Sequence, residues 1–264
     1  MRELTDRALN LAEVQGASYA DIRIVRRESQ GIAVKNGVVE ALSSSKNQGF
    51  GVRVVVDGAW GFASSAYLEP AEVDRVTALA VQIARASALV KTQDVSLGPS
   101  VVHVATFRTP VEMDPFEVPL EEKIELLLAA DEAMRWAEGV KVAQGNMAFI
   151  CERKTFASSE RSFIEQEINE SGAGLETTAV GEDDVQKRSY PNSFGRHQGT
   201  AGYEFVEAMD LAGNAGRIGE EAVALLTAPQ CPSGTLTIIL GPTQLALQVH
   251  ESCGHPIELD RVFG

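Results

Sequence analysis

The chain has 264 residues, 44% of them hydrophobic, and a formal net charge of −14, which is enough apolar material for one large globular domain or two smaller ones. The acidic balance argues against a general binder of nucleic acid or of anionic membrane, because both need concentrated Lys and Arg. Met1-Arg2-Glu3-Leu4 opens with mixed charge, no segment reaches the roughly 18 apolar residues that span a bilayer, and Cys151, Cys231 and Cys253 are too few and scattered for a disulfide framework, so a cytoplasmic protein with reduced thiols is expected.

The spacing of Leu4, Ala8 and Leu11 predicts a helix over Asp6 to Gln15, stopped by Gly16. Short strands are then predicted at 21–28, 31–35, 38–44, 49–56 and 60–65. Asn36-Gly37 and Asp57-Gly58 mark hairpin turns, since these residues tolerate positive φ. Pro70 opens a second helix whose stripe is Val73, Val76, Ala80, Ile83 and Ser87, suited to lie across one face of that meander. A connector with one extended piece at 101–107 leads to Pro119, where Glu121 and Glu122 suit a helix N-terminus and Ile124, Leu127, Leu128 and Met134 make the buried side.

Alternation resumes at 140–147, 149–158, 162–171 and 174–180, which predicts a second sheet. A long helix over Val206 to Ala228 follows, with Leu211, Ala215, Ile218, Ala222 and Leu225 on one stripe. Thr235 to Leu240 then reads as a β-branched strand, and Gly241-Pro242 as a helix start. The fold class is α+β: an antiparallel sheet with packed helices in an N-terminal domain (1–110), a central helix and β-rich segment (111–230), and the start of a second, catalytic domain (231–264).

That last helix carries His250-Glu251-Ser252-Cys253-Gly254-His255, two of the chain's four histidines within six positions. The pattern is that of a zinc peptidase helix with one residue added between the histidines. In a regular helix, residues four apart lie about 40° apart around the axis and residues five apart about 140°, too far for one metal. A π-bulge near Gly254 and Pro256 would absorb the extra residue. Two imidazoles on one side then suit Zn²⁺, with Glu251 as general base for the attacking water. Two surface histidines are the alternative, and His103 and His197 stand alone.

Extended to His250-Glu251-x-x-Gly254-His255-x-x-Glu258-x-Asp260, the motif closely resembles the signature of the TldD branch of the TldD/PmbA metallopeptidases. The stretches Ala17-Ser18-Tyr19-Ala20-Asp21-Ile22-Arg23, Asn36-Gly37-Val38-Val39-Glu40 and the run from Gly49 to Ser64 resemble that family's N-terminal domain. The resemblance implies a cytosolic zinc peptidase that cleaves unfolded or leader peptides, held extended against a strand edge, with a paralogous PmbA-like subunit as partner. It makes His250 and His255 ligands and Glu251 the catalytic acid/base. Glu258 and Asp260 either orient a ligand from behind or simply start the next segment.

The family's third ligand is a cysteine further along, and the chain stops at Gly264. The expectation is therefore an N-terminal portion that lacks this ligand and is inactive or weakly active by itself, with Cys253 a packing thiol. The competing reading is a non-catalytic scaffold resembling the inactive paralogue. A nucleic-acid-associated modulator, an older description of relatives, gains nothing from the acidic charge.

Overall fold

The computed structural model describes residues 1–263. Helix α1 (Arg2–Val14) leads into a hairpin of two long strands, β1 (Tyr19–Lys35) and β2 (Val38–Val56), followed by β3 (Ala59–Ser65), α2 (Pro70–Ala88) and β4 (Val104–Arg108). Next come α3 (Leu120–Arg135), β5 (Val140–Ser158), β6 (Phe163–Val180), β7 (Val185–Tyr190), β8 (His197–Gly199), α4 (Glu204–Glu207) and α5 (Leu211–Leu225). The chain closes with α6 (Pro242–Val249), a π turn at His250–Gly254, a 3-10 turn at His255–Ile257 and α7 (Leu259–Phe263). Both predicted hairpins form, with Asn36 at φ 49° and Asp57 at φ 49°.

The two β-rich blocks build one sheet, not two. Its order is β3-β2-β1-β5-β6-β4, with β7 and β8 also paired to β6. β1 runs antiparallel to β5 from Asp21 opposite Ser158 to Lys35 opposite Gln144, which fuses the blocks, while β4 joins β6 in parallel. The expected breaks within β1, β2, β5 and β6 are absent. Polar residues in mid-strand, such as Gln30 and Ser45, read as turns in the sequence but stay in the ladder, Gln30 opposite Ser44 and Ser45 opposite Ser29.

One face of the sheet carries two apolar cores. The first gathers Ile22, Ile24, Val52 and Val54 with Ala8 of α1 and Val73, Val76 and Ala80 of α2. The second gathers Ile32, Val34, Met147, Phe149 and Leu175 with Leu127 of α3 and Leu211 and Ala215 of α5. Each large side chain so buried contributes about 1.5–3 kcal/mol.

Helix faces differ in detail from their predicted stripes. On α2 the buried set includes Thr77, Val81 and Ala84, and Ile83 is 38% exposed. The reason is a close approach: a Cβ on Gly61 of β3 would lie 2.0 Å from the Ala80 carbonyl oxygen, so α2 turns its small residues to the sheet. On α3, Leu127 and Met134 are buried as expected, but Lys123 is buried too, its Nζ donating to Gln30 Oε1 at 2.6 Å and to the Pro115 carbonyl at 2.5 Å.

The long helix over 206–228 is broken. Asp210 adopts a left-handed backbone at φ 47° and its side chain accepts from Gly213 N–H at 3.2 Å, capping α5. Leu211, Ala215, Ile218 and Ala222 are buried as predicted and Leu225 is exposed.

Candidate metal centre

The segment after α5 leaves the cores. From Thr227 to Val262 every residue is exposed except Thr243 and His255, which are half-buried. The strand expected at Thr235–Leu240 does not form. No strand is assigned there, and Ile238 and Ile239 are 71% and 98% exposed. Backbone groups in such a stretch are satisfied by water instead of a ladder.

Helix α6 starts where predicted. Gly241 is its N-cap, Pro242 occupies the first turn, and Leu245 N–H donates to the Gly241 carbonyl at 3.0 Å. At His250 the backbone widens into a π turn, and His255 N–H donates to the His250 carbonyl five residues back. This one bond absorbs the additional residue of the motif. The two imidazoles, set five apart in sequence, stand edge to face with ring centroids 4.6 Å apart.

Glu251 lies between them. Its Oε1 is 3.9 Å from His250 Nε2 and its Oε2 is 3.6 Å from His255 Nε2. One donor atom from each of His250, Glu251 and His255 falls within 4.8 Å of the others. The two imidazole nitrogens are thereby near enough to share one ion, with the Glu251 carboxylate beside them. Imidazole is also the donor chemistry that suits a borderline-soft divalent metal.

Behind this trio, Glu258 Oε1 lies 2.7 Å from His255 Nδ1. A carboxylate can only accept there, so Nδ1 is the donor in this contact, and in the neutral imidazole that leaves the Nε2 lone pair for a metal. Arg261 Nε braces the other Glu258 oxygen at 3.3 Å. Arg261 was not singled out from the sequence, although its place three residues after Glu258, one helical turn on, is the signal that marks it. Asp260 lies in the first turn of α7 and makes no ion pair with the trio among the described residues. Cys253, expected to pack, is exposed and stands outside the cluster.

Comparison with known proteins bears on the whole chain. Residues 20–84 match PmbA/TldA metallopeptidase domain 1, and residues 114–228 match the PmbA/TldA metallopeptidase central domain. A metalloprotease from Methanothermobacter thermautotrophicus is 30% identical over 93% of this chain and 51% of its own length. Two solved structures share the fold. A protein from Thermotoga maritima described as a candidate modulator of a DNA gyrase superposes with a TM-score of 0.66 at 17% identity, covering 88% of this chain and 50% of that one. TldE from Thermococcus kodakarensis superposes with a TM-score of 0.60 at 15% identity, over 83% of this chain and 46% of its own. The chain spans about half the length of the curated relatives it matches, and no described helix is long and apolar enough to cross a membrane. Relatives named for a metal-dependent protease and two family domains covering most of the sequence lead to one conclusion: the chain belongs to the PmbA/TldD family of metallopeptidases.

Proposed function

We propose that this chain carries the histidine pair and the general base of a zinc-dependent peptidase acting on unfolded or leader peptides. The observation that carries the reading is the π turn, which gives His250 and His255 a common face with Glu251 between them. His250 and His255 would hold the metal through ring nitrogens, and Glu258 fixes the tautomer of His255. Zinc bound there supplies Lewis-acid polarisation of the scissile carbonyl.

The remaining steps belong to this chain's carboxylate. Glu251 takes one proton from the attacking water, whose oxygen bonds to the carbonyl carbon. The same carboxyl group then returns a proton to the amide nitrogen as the C–N bond breaks, so acid and amine leave with the charge balance restored. Catalytic zinc takes three protein ligands. The third, a cysteine in the related proteins by the resemblance, is proposed to come from outside residues 1–263, with 1–110, 111–230 and 231–264 as the working domain limits. A paralogous subunit and a cytoplasmic setting belong to the same proposal, and the shared fold with TldE supports the first of them.

The test is Glu251→Gln in the whole protein with zinc measured alongside. Expected is stoichiometric zinc in both forms and a loss of peptide hydrolysis of about 10²–10⁴-fold in the variant. Retained hydrolysis, or no zinc in the parent, would sink the reading.

A further inference from the structure

The helix-covered face of the sheet is not apolar from end to end. Along β1 the residues on that face run Ile22, Ile24, Arg26, Glu28, Gln30, Ile32, Val34. The first two belong to one core and the last two to the other. Between the helical layers lies a polar trench. Register places Gln48 of β2, Arg26 of β1, Arg153 of β5, Glu167 of β6 and Arg108 of β4 side by side across five strands. Directly paired residues share a face, so these side chains form one row.

Two adjoining cavities, of about 220 and 450 Å³, open over the row, and Arg26 and Arg153 line both. Arg108 and Glu167 line the smaller, Lys46 and Glu28 the larger. Basic residues around the two outnumber acidic ones six to three, in a chain of net charge −14.

Arg26 opposite Arg153 is a like-charge cross-strand pair, which destabilises a sheet unless something neutralises it. Elsewhere the chain supplies counterions. Asp21 meets Arg53 at 2.7 Å and Arg23 at 3.2 Å, Asp74 meets Arg7 at 2.6 Å, and Glu221 meets both Arg188 and Arg217 at 2.6 Å. In the trench, Glu167 meets Arg153 at 3.0 Å and Glu28 meets Lys46 at 2.8 Å. Arg26 and Arg108 make no ion pair among the described residues, and both are exposed. Two guanidinium forks therefore face a concave floor without partners, and a fork of that kind matches a carboxylate in bidentate geometry.

The spacing selects among anions. Arg26 and Arg108 stand three strand intervals apart, about 14 Å. Residues i and i+4 of an extended chain point the same way and are separated by a similar ~13–14 Å. A single small anion would satisfy one end and leave the other bare. A long polyanion would be repelled by the overall charge.

We propose that this trench binds an extended acidic peptide segment running across the strands, with one carboxylate on Arg26 and Arg153 and a second, four residues on, at Arg108. The choice of a peptide as occupant rests on the peptidase reading and deepens it by naming a charge preference in the substrate. The binding surface itself lies on the sheet, far in sequence from His250 and His255.

Fluorescence anisotropy tests it on this chain in the presence of a chelator, so that no metal is involved. The probe is a labelled Gly/Ser peptide carrying aspartates at i and i+4. Expected is saturable binding that an all-neutral peptide lacks, that weakens steeply with salt, and that falls about tenfold or more in the Arg26→Gln/Arg108→Gln variant. If the double variant loses its near-UV circular dichroism, Arg108→Gln on the short edge strand is read instead. Arg108→Glu should shift preference to a peptide with lysine at the second position. Equal binding of the neutral peptide, unchanged binding in a folded variant, or displacement by inorganic phosphate or an oligonucleotide as effective as the acidic peptide each overturns the proposal. Acidic-peptide binding without zinc or hydrolysis in the whole protein would overturn the peptidase reading alone.

Discussion

In the body of the chain, Val52, Leu127 and Phe149 have no solvent exposure at all, and two helical layers hold one sheet from the same side. From Thr227 onward almost nothing is covered, yet the trio of His250, Glu251 and His255 sits in that stretch. Fold stability and reactive groups are thus in different places. The trio is organised locally, by a π turn and two carboxylate contacts, and not by a core beneath it. Substitutions in one region should therefore leave the other's measured property alone, and each of the following tries to break that separation.

The largest effect is expected in the second core. Phe149 is buried, stacks at 5.9 Å on Tyr203 and lies under the Lys123 ammonium at 4.7 Å. Phe149→Ala should cost about 3–5 kcal/mol in urea unfolding. Zinc affinity of the folded fraction should stay within about twofold of the parent. A large drop in both would show that the body shapes the trio.

The converse substitution is His250→Ala. Removing one of two imidazoles should weaken zinc binding by more than about a hundredfold in a chelator competition. Because His250 is exposed, unfolding of the metal-free protein should change by less than about 0.5 kcal/mol. A smaller effect is expected one shell out: Glu258→Gln keeps the shape but removes the charge that accepts from His255 Nδ1. Zinc affinity should fall about 10–100-fold, again without a change in stability.

Much of this contrast was legible in the sequence, and the gaps have physical causes. Asn36-Gly37 and Asp57-Gly58 announced their hairpins because the turn chemistry is local. The five-residue histidine spacing called for a widened turn because helix geometry is local too. Whether β1 pairs with β5 is a long-range matter that periodicity does not carry, so one sheet read as two. Ser29-Gln30 read as a break between two strands because composition alone does not separate a turn from the polar middle of a long strand. Lys123 went unremarked in the sequence, because residue type alone puts a lysine in solvent, while Gln30 and Pro115 hold it inside. The β-branched run Thr235–Leu240 had strand propensity, but a strand also needs a neighbour.

The smallest effect concerns the seam between sheet and helix in the body, where Glu221 of α5 accepts from Arg188 of β7 and Arg217 of its own helix, both at 2.6 Å. Hydrogen bonds from Arg188 and then Arg217 hold its carboxyl below the ordinary glutamate range. A carboxyl depressed in the folded state stabilises the protein above its unfolded-state value, and that contribution is lost as pH falls through the folded-state value. The pair is partly solvent-screened, so Glu221→Gln should cost only about 0.5–1 kcal/mol near pH 7. The cost should shrink as pH falls below about 4.3, the unfolded glutamate value, and vanish in acid. Zinc affinity at pH 7 should not move. A Glu221→Gln penalty that persisted undiminished in acid would mean that packing of the side-chain stem, not its charge, joins β7 to α5.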